Sequence, residues 1–290
     1  MFFNEIELLK FLESLRTNFF NIFFEYVTML SEKEFLIIFI SILYFMFNKN
    51  LARRILFLSV ASIGFNSTIK NIFKIPRPFS TGEISCVSPS TATGYSFPSG
   101  HTQLFSTYSL SLAFYLKKHW LIFLSSFLII LIGFSRLYLG AHYPSDVLTG
   151  AILGVLIAFI GSFLHDKIKN KNLLYGSIPI ILTPFAIYFL FTPDPQYSDF
   201  YKSYGMLIAF FLSVLFEEKY VSLHYNTSIF KRLLRIIIAI IIAIIINAIS
   251  EKILCFSDLR LSLLADLVKY FFLVFFVLGV CPLIIKKLNI

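Results

Sequence analysis

From residue 34 onward the chain alternates between long apolar runs and short polar breaks. Nine runs stand out, at about 34–48, 51–73, 100–116, 120–138, 146–164, 174–191, 203–217, 232–249 and 263–285. A helix rises 1.5 Å per residue, so ~20 mostly apolar residues cross the ~30 Å hydrocarbon core of a bilayer. Lipid cannot satisfy backbone polar groups, and a helix satisfies its own. The runs therefore predict membrane helices. Upstream the pattern differs. Ile6, Leu8, Leu9, Phe11, Leu12 and Leu15 recur at roughly helical spacing among polar residues, and Glu25 interrupts the next apolar stretch. Such a segment is expected to lie in the interface as amphipathic helices; the alternative is an additional span over 17–31. The expected fold class is all-α: a polytopic transmembrane helical bundle with N-terminal interfacial amphipathic helices.

Composition strengthens this reading. The 290 residues are 58% hydrophobic and only 14% charged, against ~45–50% and ~25% in soluble globular chains. A net charge of +9 would suit a nucleic-acid partner, but the basic residues sit in short clusters between apolar runs. Lys49, Arg53 and Arg54; Lys117 and Lys118; Lys167, Lys169 and Lys171; Lys219, Lys231, Arg232 and Arg235; and Lys286 and Lys287 make 14 of the 25 Lys and Arg residues. The positive-inside rule places these in the cytoplasm, and loops 74–99, 139–145 and 192–202 on the outer side. No nucleic-acid partner is expected. The abundance of Ile, Phe, Lys and Asn suits an AT-rich bacterial genome, so the expected location is a bacterial inner membrane. Residues 1–16 carry Glu5, Glu7 and Glu13 and are not expected to form a cleavable signal peptide. Cys86, Cys255 and Cys281 form neither a disulfide framework nor a zinc spacing, and a Cys86–Cys255 bond is left open. The glycines of GAILG at 150–154 allow close helix approach, within the chain or between copies.

Charged groups beside spans are costly and therefore informative. Three segments hold them, all on the expected outer face. In KNIFKIPRP (70–78), Lys70 and Arg77 put two cations near the interface. In FPSGH (97–101), Pro98 starts a helix and Ser99 and Gly100 offer backbone N–H groups at its N-terminus, a natural seat for phosphate oxygens. His101 sits in the first turn, placed to move a proton. In SRLYLGAHYPSD (135–146), Arg136 precedes His142 and Asp146 follows it by four residues. A carboxylate beside a histidine fixes its tautomer and raises its basicity, and a histidine so held can attack phosphorus. Each segment alone also reads as an anchor or helix cap; the three together on one face do not. Asn66 and Asn71 lie close enough along the chain to support them. His119, His165 and His224 sit beside basic residues and read as interfacial, Glu217 and Glu218 as solvated, and Asp266 with Lys269 as a local ion pair.

Lys70 with Arg77-Pro78, Pro98-Ser99-Gly100-His101, and Ser135-Arg136 with His142 and Asp146 together resemble the three-part motif of the type 2 phosphatidic acid phosphatase superfamily. The resemblance implies that residues 34–165 are a phosphatase core, preceded by the interfacial segment 1–33 and followed by additional transmembrane helices over 166–290. It implies that His142 forms a phosphohistidine, Asp146 orients it, and His101 protonates the leaving group and then activates water. Lys70, Arg77, Ser99, Gly100 and Arg136 would bind phosphate. No metal or other cofactor is implied, and no carboxylate cluster suggests a two-metal site. The implied substrate is a membrane lipid phosphate or pyrophosphate: phosphatidic acid, phosphatidylglycerol phosphate or polyprenyl pyrophosphate. Transfer of phosphate to an acceptor by the same intermediate is the alternative within enzymes. The soluble haloperoxidases that share these motifs are disfavoured by the spans. An anionic-lipid transporter would place its polar residues near mid-membrane, whereas here they cluster at one interface.

Overall fold

The computed structural model describes residues 5–221 and 227–288, so His224 lies outside the described residues. The chain is all-helical there: α1 Glu5–Ser14, α2 Asn18–Met29, α3 Lys33–Ile42, α4 Lys49–Phe73, α5 Gly100–Leu116, α6 His119–Tyr138, α7 Pro144–Lys167, α8 Lys171–Phe191, α9 Ser198–Tyr220, α10 Ile229–Ile253, α11 Leu259–Phe275 and α12 Cys281–Lys287. Each of the nine apolar runs is helical. Among the described residues, seven helices are long and apolar enough to cross a membrane: α4, α6, α7, α8, α9, α10, and α11 continued through α12. The helices of the other two runs are shorter. α3 continues as a π-helical segment, Leu43–Phe47, and α5 has 17 residues, about 25 Å. Both N-terminal helices are shorter still; the 12 residues of α2 reach about 18 Å, less than a hydrocarbon core.

Two compact units form, Met1–Ile38 with Phe65–Phe163, and Phe39–Gly64 with Leu164–Ile290. In the first, α5 is the inner helix. Thr102, Gln103, Ser106, Thr107 and Ser111 are all fully buried. The hydroxyls of Ser106, Thr107 and Ser111 donate to carbonyls one turn back, which makes their burial tolerable. GAILG resolves as packing inside the chain. A Cβ on Gly150 would lie 2.5 Å from the Ser99 carbonyl oxygen, and one on Gly154 2.4 Å from that of Gln103. α7 thus rides directly on the α5 backbone. α2 begins at Thr17, whose Oγ1 accepts from Phe20 N. It lays Phe24 against Tyr138 and Phe134 of α6, with ring centroids 4.6 and 5.4 Å apart.

In the second unit, the first half of α4 buries Arg53 and Arg54. Arg54 pairs with Asp166 at 2.6 Å. Arg53 pairs with Glu217, and with Glu218 at 3.2 Å. Glu217 is not solvated as its position at a span end suggested. It is fully buried and also holds Lys49 at 3.0 Å, because a carboxylate so enclosed needs cationic partners. Asp266 and Lys269 do not pair with each other either. Asp266 accepts from Ser198 Oγ and Lys269 reaches Glu251, since α9 and α10 offer nearer partners than the helix's own next turn. The three cysteines are free thiols.

Candidate active site

The three polar segments meet in the first unit. α4 ends at Phe73 and delivers Lys70 in its last turn. The loop that follows carries Arg77, which is buried. Three carbonyls hold its guanidinium: Nε donates to Gly94 O at 2.9 Å, Nη2 to Thr93 O at 2.5 Å and Nη1 to Ala141 O at 3.0 Å. Nη1 also lies 3.2 Å from His142 Nε2. A guanidinium only donates, so Nε2 presents its lone pair there and the ring proton sits on Nδ1. That Nδ1 lies 3.3 Å from Asp146 Oδ2. Side-chain burial is nearly complete for both partners, each 1% exposed.

Asp146 has further ties. Its Oδ2 accepts from Tyr143 N at 2.9 Å and from Ser96 Oγ at 2.5 Å. The Tyr143 contact is the reach-back of a capping box, because α7 starts at Pro144. The helix-cap and histidine-orienting readings of Asp146 are therefore one geometry. Its carbonyl accepts from Ser99 N at 3.0 Å. The Ser99 N–H is consequently engaged within the protein, and Ser99 Oγ lies 3.0 Å from Thr102 Oγ1. The expected pair of phosphate-facing N–H groups shifts one residue onward. Gln103 N is the first amide of α5 to donate back, to Ser99 O at 3.1 Å, which leaves Gly100, His101 and Thr102 N–H outside the helical ladder. Pro98 precedes the cap residue Ser99 and does not occupy the first helical position.

Lys70 Nζ donates to Tyr95 O at 2.7 Å. Burial, followed by the charges of Arg77, Lys70 and Arg136, holds the His142 imidazole well below its usual range. It is thus uncharged near neutral pH. Asn66 Nδ2 donates to Gln103 Oε1 at 2.8 Å and lies 3.4 Å from Pro98 O, tying α4 to the loop before α5.

Arg136 is fully buried. Its Nη1 donates to Thr28 Oγ1 at 3.1 Å and more weakly to Thr91 Oγ1 at 3.5 Å. Its Nε and Nη2 have no hydrogen-bond partner among the described residues. Burying a cation with two unmet donors is expensive, and such a site calls for an anion.

Four contributors lie outside the residues that the motifs suggested: Ser96, Thr28, Thr91 and Glu32. Glu32, in the turn between α2 and α3, places Oε1 3.3 Å from His101 Nε2. Hydrogen bonding with His101 holds its carboxyl below the usual carboxylate range, against the upward effect of burial. Nothing local marks Glu32 in the sequence, which is 69 residues from its partner. Ser96 stands one residue before Phe97 of FPSGH, the nearest thing to a signal. His165 takes no part here; its Nε2 meets Tyr175 OH at 3.1 Å.

Residues 51–169 match the model of the PAP2 superfamily, and residues 201–290 match that of the PAP2 superfamily phosphatase transmembrane extension. The chain is 33% identical over 101 residues to an undecaprenyl-diphosphatase of Sulfolobus acidocaldarius, covering 35% of this chain and 48% of that protein. It is 25% identical over 220 residues to a probable sphingosine-1-phosphate phosphatase of Dictyostelium discoideum, covering 67% and 53%. With phosphatidylglycerophosphatase B of Bacillus subtilis the identity is 38% over 88 residues, covering 27% and 43%. The chain thus spans about half the length of these relatives. Among solved structures, a transmembrane PAP2 type phosphatidylglycerolphosphate phosphatase from Bacillus subtilis superposes with a TM-score of 0.51 at 24% identity, over 57% of this chain and 86% of that one. That likeness is one of fold.

Proposed function

This chain belongs to the PAP2 superfamily, and we propose on that premise that it is a membrane phosphatase acting on a lipid phosphate or lipid pyrophosphate through a phosphohistidine on His142. The observation that carries the proposal is the buried Arg136 guanidinium, with Nε and Nη2 unmet among the described residues, in the same compact unit as the His142–Arg77–Asp146 set. Phosphate oxygens would meet those donors. Arg77, Lys70 and the first amides of α5, at Gly100 and His101, complete a cradle for charge on the equatorial oxygens. Ser99 holds the start of that helix in place through Asp146 O and Thr102.

The chemistry follows from the tautomer. His142 Nε2 attacks phosphorus with its lone pair, and the bond from phosphorus to the lipid oxygen breaks. The lipid oxygen takes the bond's electron pair and a proton from His101. Asp146 stabilises the positive charge that the attack places on the ring. Water then attacks phosphorus and gives its proton to His101. The N–P bond breaks, its electrons return to Nε2, and phosphate leaves. The groups that act directly on phosphate lie within residues 34–165, residues 166–290 being additional transmembrane helices. The substrate is a phosphate of the phosphatidic acid, phosphatidylglycerol phosphate or polyprenyl pyrophosphate class. The site opens at the outer face of a bacterial inner membrane, opposite the basic clusters that the positive-inside rule assigns to the cytoplasm.

The test is phosphate release from these three lipids in detergent with excess chelator, for wild type and His142→Ala. Release by wild type that withstands chelation and disappears in the variant is expected. Equal release by both proteins would overturn the His142 assignment. Release that needs an added alcohol would replace hydrolysis with transfer to an acceptor.

A further inference from the structure

We infer that Glu32 is a positioning residue for the proton-transfer step, holding His101 through Nε2 so that Nδ1 is the atom that exchanges a proton with the leaving oxygen and then with water. This rests on the hydrolytic reading above and deepens it. Glu32 lies upstream of residues 51–169, the segment matched as a PAP2 domain. The N-terminal part of the chain would then supply a piece of the site that the three motifs lack.

Three features of the first unit support it. First, an ionised carboxylate only accepts, so in the 3.3 Å contact His101 Nε2 keeps its proton and donates it as a hydrogen bond to Glu32. Nδ1 is left to do the chemistry. Second, the turn that carries Glu32 is anchored to the helix that carries His101. Tyr108 OH, two turns along α5, donates to Leu30 O at 2.5 Å, and Ser31 Oγ closes the turn onto Thr28 O at 2.6 Å. Residues seven apart lie on one face of a helix, so His101 and Tyr108 grip the same turn. Third, Thr28 from the last turn of α2 also holds Arg136 Nη1. One short segment thus serves both a phosphate-facing cation and the proton-moving histidine.

The arrangement parallels His142 with Asp146, and the outcome differs by charge. Asp146 supports a ring that attacks while neutral. Glu32 supports a ring that must be protonated when the ester bond breaks. On donation, the Nδ1 proton passes to the lipid oxygen and the neutral ring keeps its Nε2–H on Glu32. Water later returns a proton to Nδ1, and the ring is restored.

The full-length protein in detergent distinguishes this from a structural role. Two probes are needed: dioleoyl phosphatidic acid, whose alkoxide leaving group requires a proton, and 4-nitrophenyl phosphate, whose phenolate does not. Glu32→Gln is expected to lower kcat on the lipid by about 30- to 100-fold with KM within about twofold, on the scale of general acid catalysis. On the aryl phosphate the readout is the first-turnover burst of nitrophenolate, which precedes the water step, and its rate should fall less than about threefold. In a His101→Ala background, Glu32→Gln should add no further loss, because paired residues act as a unit. Equal losses on both probes, an unchanged kcat on the lipid, or a full additional loss in the His101→Ala background would each overturn the inference. Glu32→Asp keeps the charge at shorter reach and decides the matter if Glu32→Gln fails to elute as a single species: a loss confined to the lipid supports the role, an equal loss on both probes refutes it. Wild type inactive on both probes would instead remove the hydrolytic reading, and this inference with it.

Discussion

His142 sits between a carboxylate and a guanidinium, each at hydrogen-bonding distance from a different ring nitrogen. Burial and three cations hold its pKa well below the usual value. The unfolded chain binds a proton there near pH 6.5, whereas the folded chain does so only at lower pH. Between those two values the unfolded state binds more protons, so this residue makes stability fall as the solution is acidified below about pH 6.5. His142→Asn, uncharged in both states, is expected to flatten that fall; melting midpoints at pH 7.5 and 5.5 in detergent check it, and parallel curves for the two proteins would refute it. Arg136 lends itself to a kinetic test. Under the proposed chemistry its two unmet donors would meet charge on phosphoryl oxygens, so Arg136→Ala should lower kcat on a lipid phosphate by about 10²- to 10³-fold. Arg136→Lys, lacking the planar fork, should recover only a small part of that. Full recovery in the Lys variant would show that charge alone suffices.

At the scale of elements, the site depends on how closely α7 lies on α5. Gly150 and Gly154 let the two backbones touch, which sets His142 and Asp146, just before and within the first turn of α7, against the Ser99 end of α5. A Val at position 154 would place its Cβ against Gln103 O and the Ser106 side chain, where relief requires the helices to part. Overpacking of this kind costs about 1–3 kcal/mol or more. Gly154→Val is therefore expected to lower both the melting midpoint and activity, while the outward-facing Leu156→Val, on a position 46% exposed, changes neither; the pair compared side by side makes the measurement. The N-terminal helices were legible as amphipathic from Leu9, Leu12 and their neighbours, and α1 buries those two leucines. What they touch was not legible. Glu5 accepts from Ser145 N and Oγ at the start of α7, and Arg16 donates to Tyr138 O, contacts that join positions more than 100 residues apart.

Over the whole molecule, the division of contacts runs through α4. Its first half carries Arg53 and Arg54, whose carboxylate partners are Glu217, Glu218 and Asp166, and its Phe57 ring packs 4.9 Å from Tyr175. The chemistry proposed for 34–165 therefore does not imply that 1–165 folds alone. Ending the chain at residue 165 removes the carboxylates that pair with two buried guanidiniums, and breaking a buried pair costs about 3–5 kcal/mol. Such a chain is expected to elute as aggregate, whereas the full chain elutes as one species in the same detergent. A single sharp peak that retains phosphatase activity would show that the later helices are dispensable.

Hydropathy period and length were enough to determine the helical class, the nine apolar runs and the membrane as solvent, because lipid leaves a chain of this composition little choice but internally bonded helices. The motifs were local, and so the contact of His142 with Asp146, four residues apart across the start of a helix, was within reach of the sequence. Contacts made across the chain were not. The binding of Ser99 N by Asp146, the seat of Arg77 among three carbonyls, the burial of Glu217 and the approach of Glu32 to His101 each depend on which helices lie side by side. A linear pattern records which face of a helix is apolar; only packing decides which polar group stands opposite, because that depends on side-chain shape and close backbone contact across elements distant in the chain.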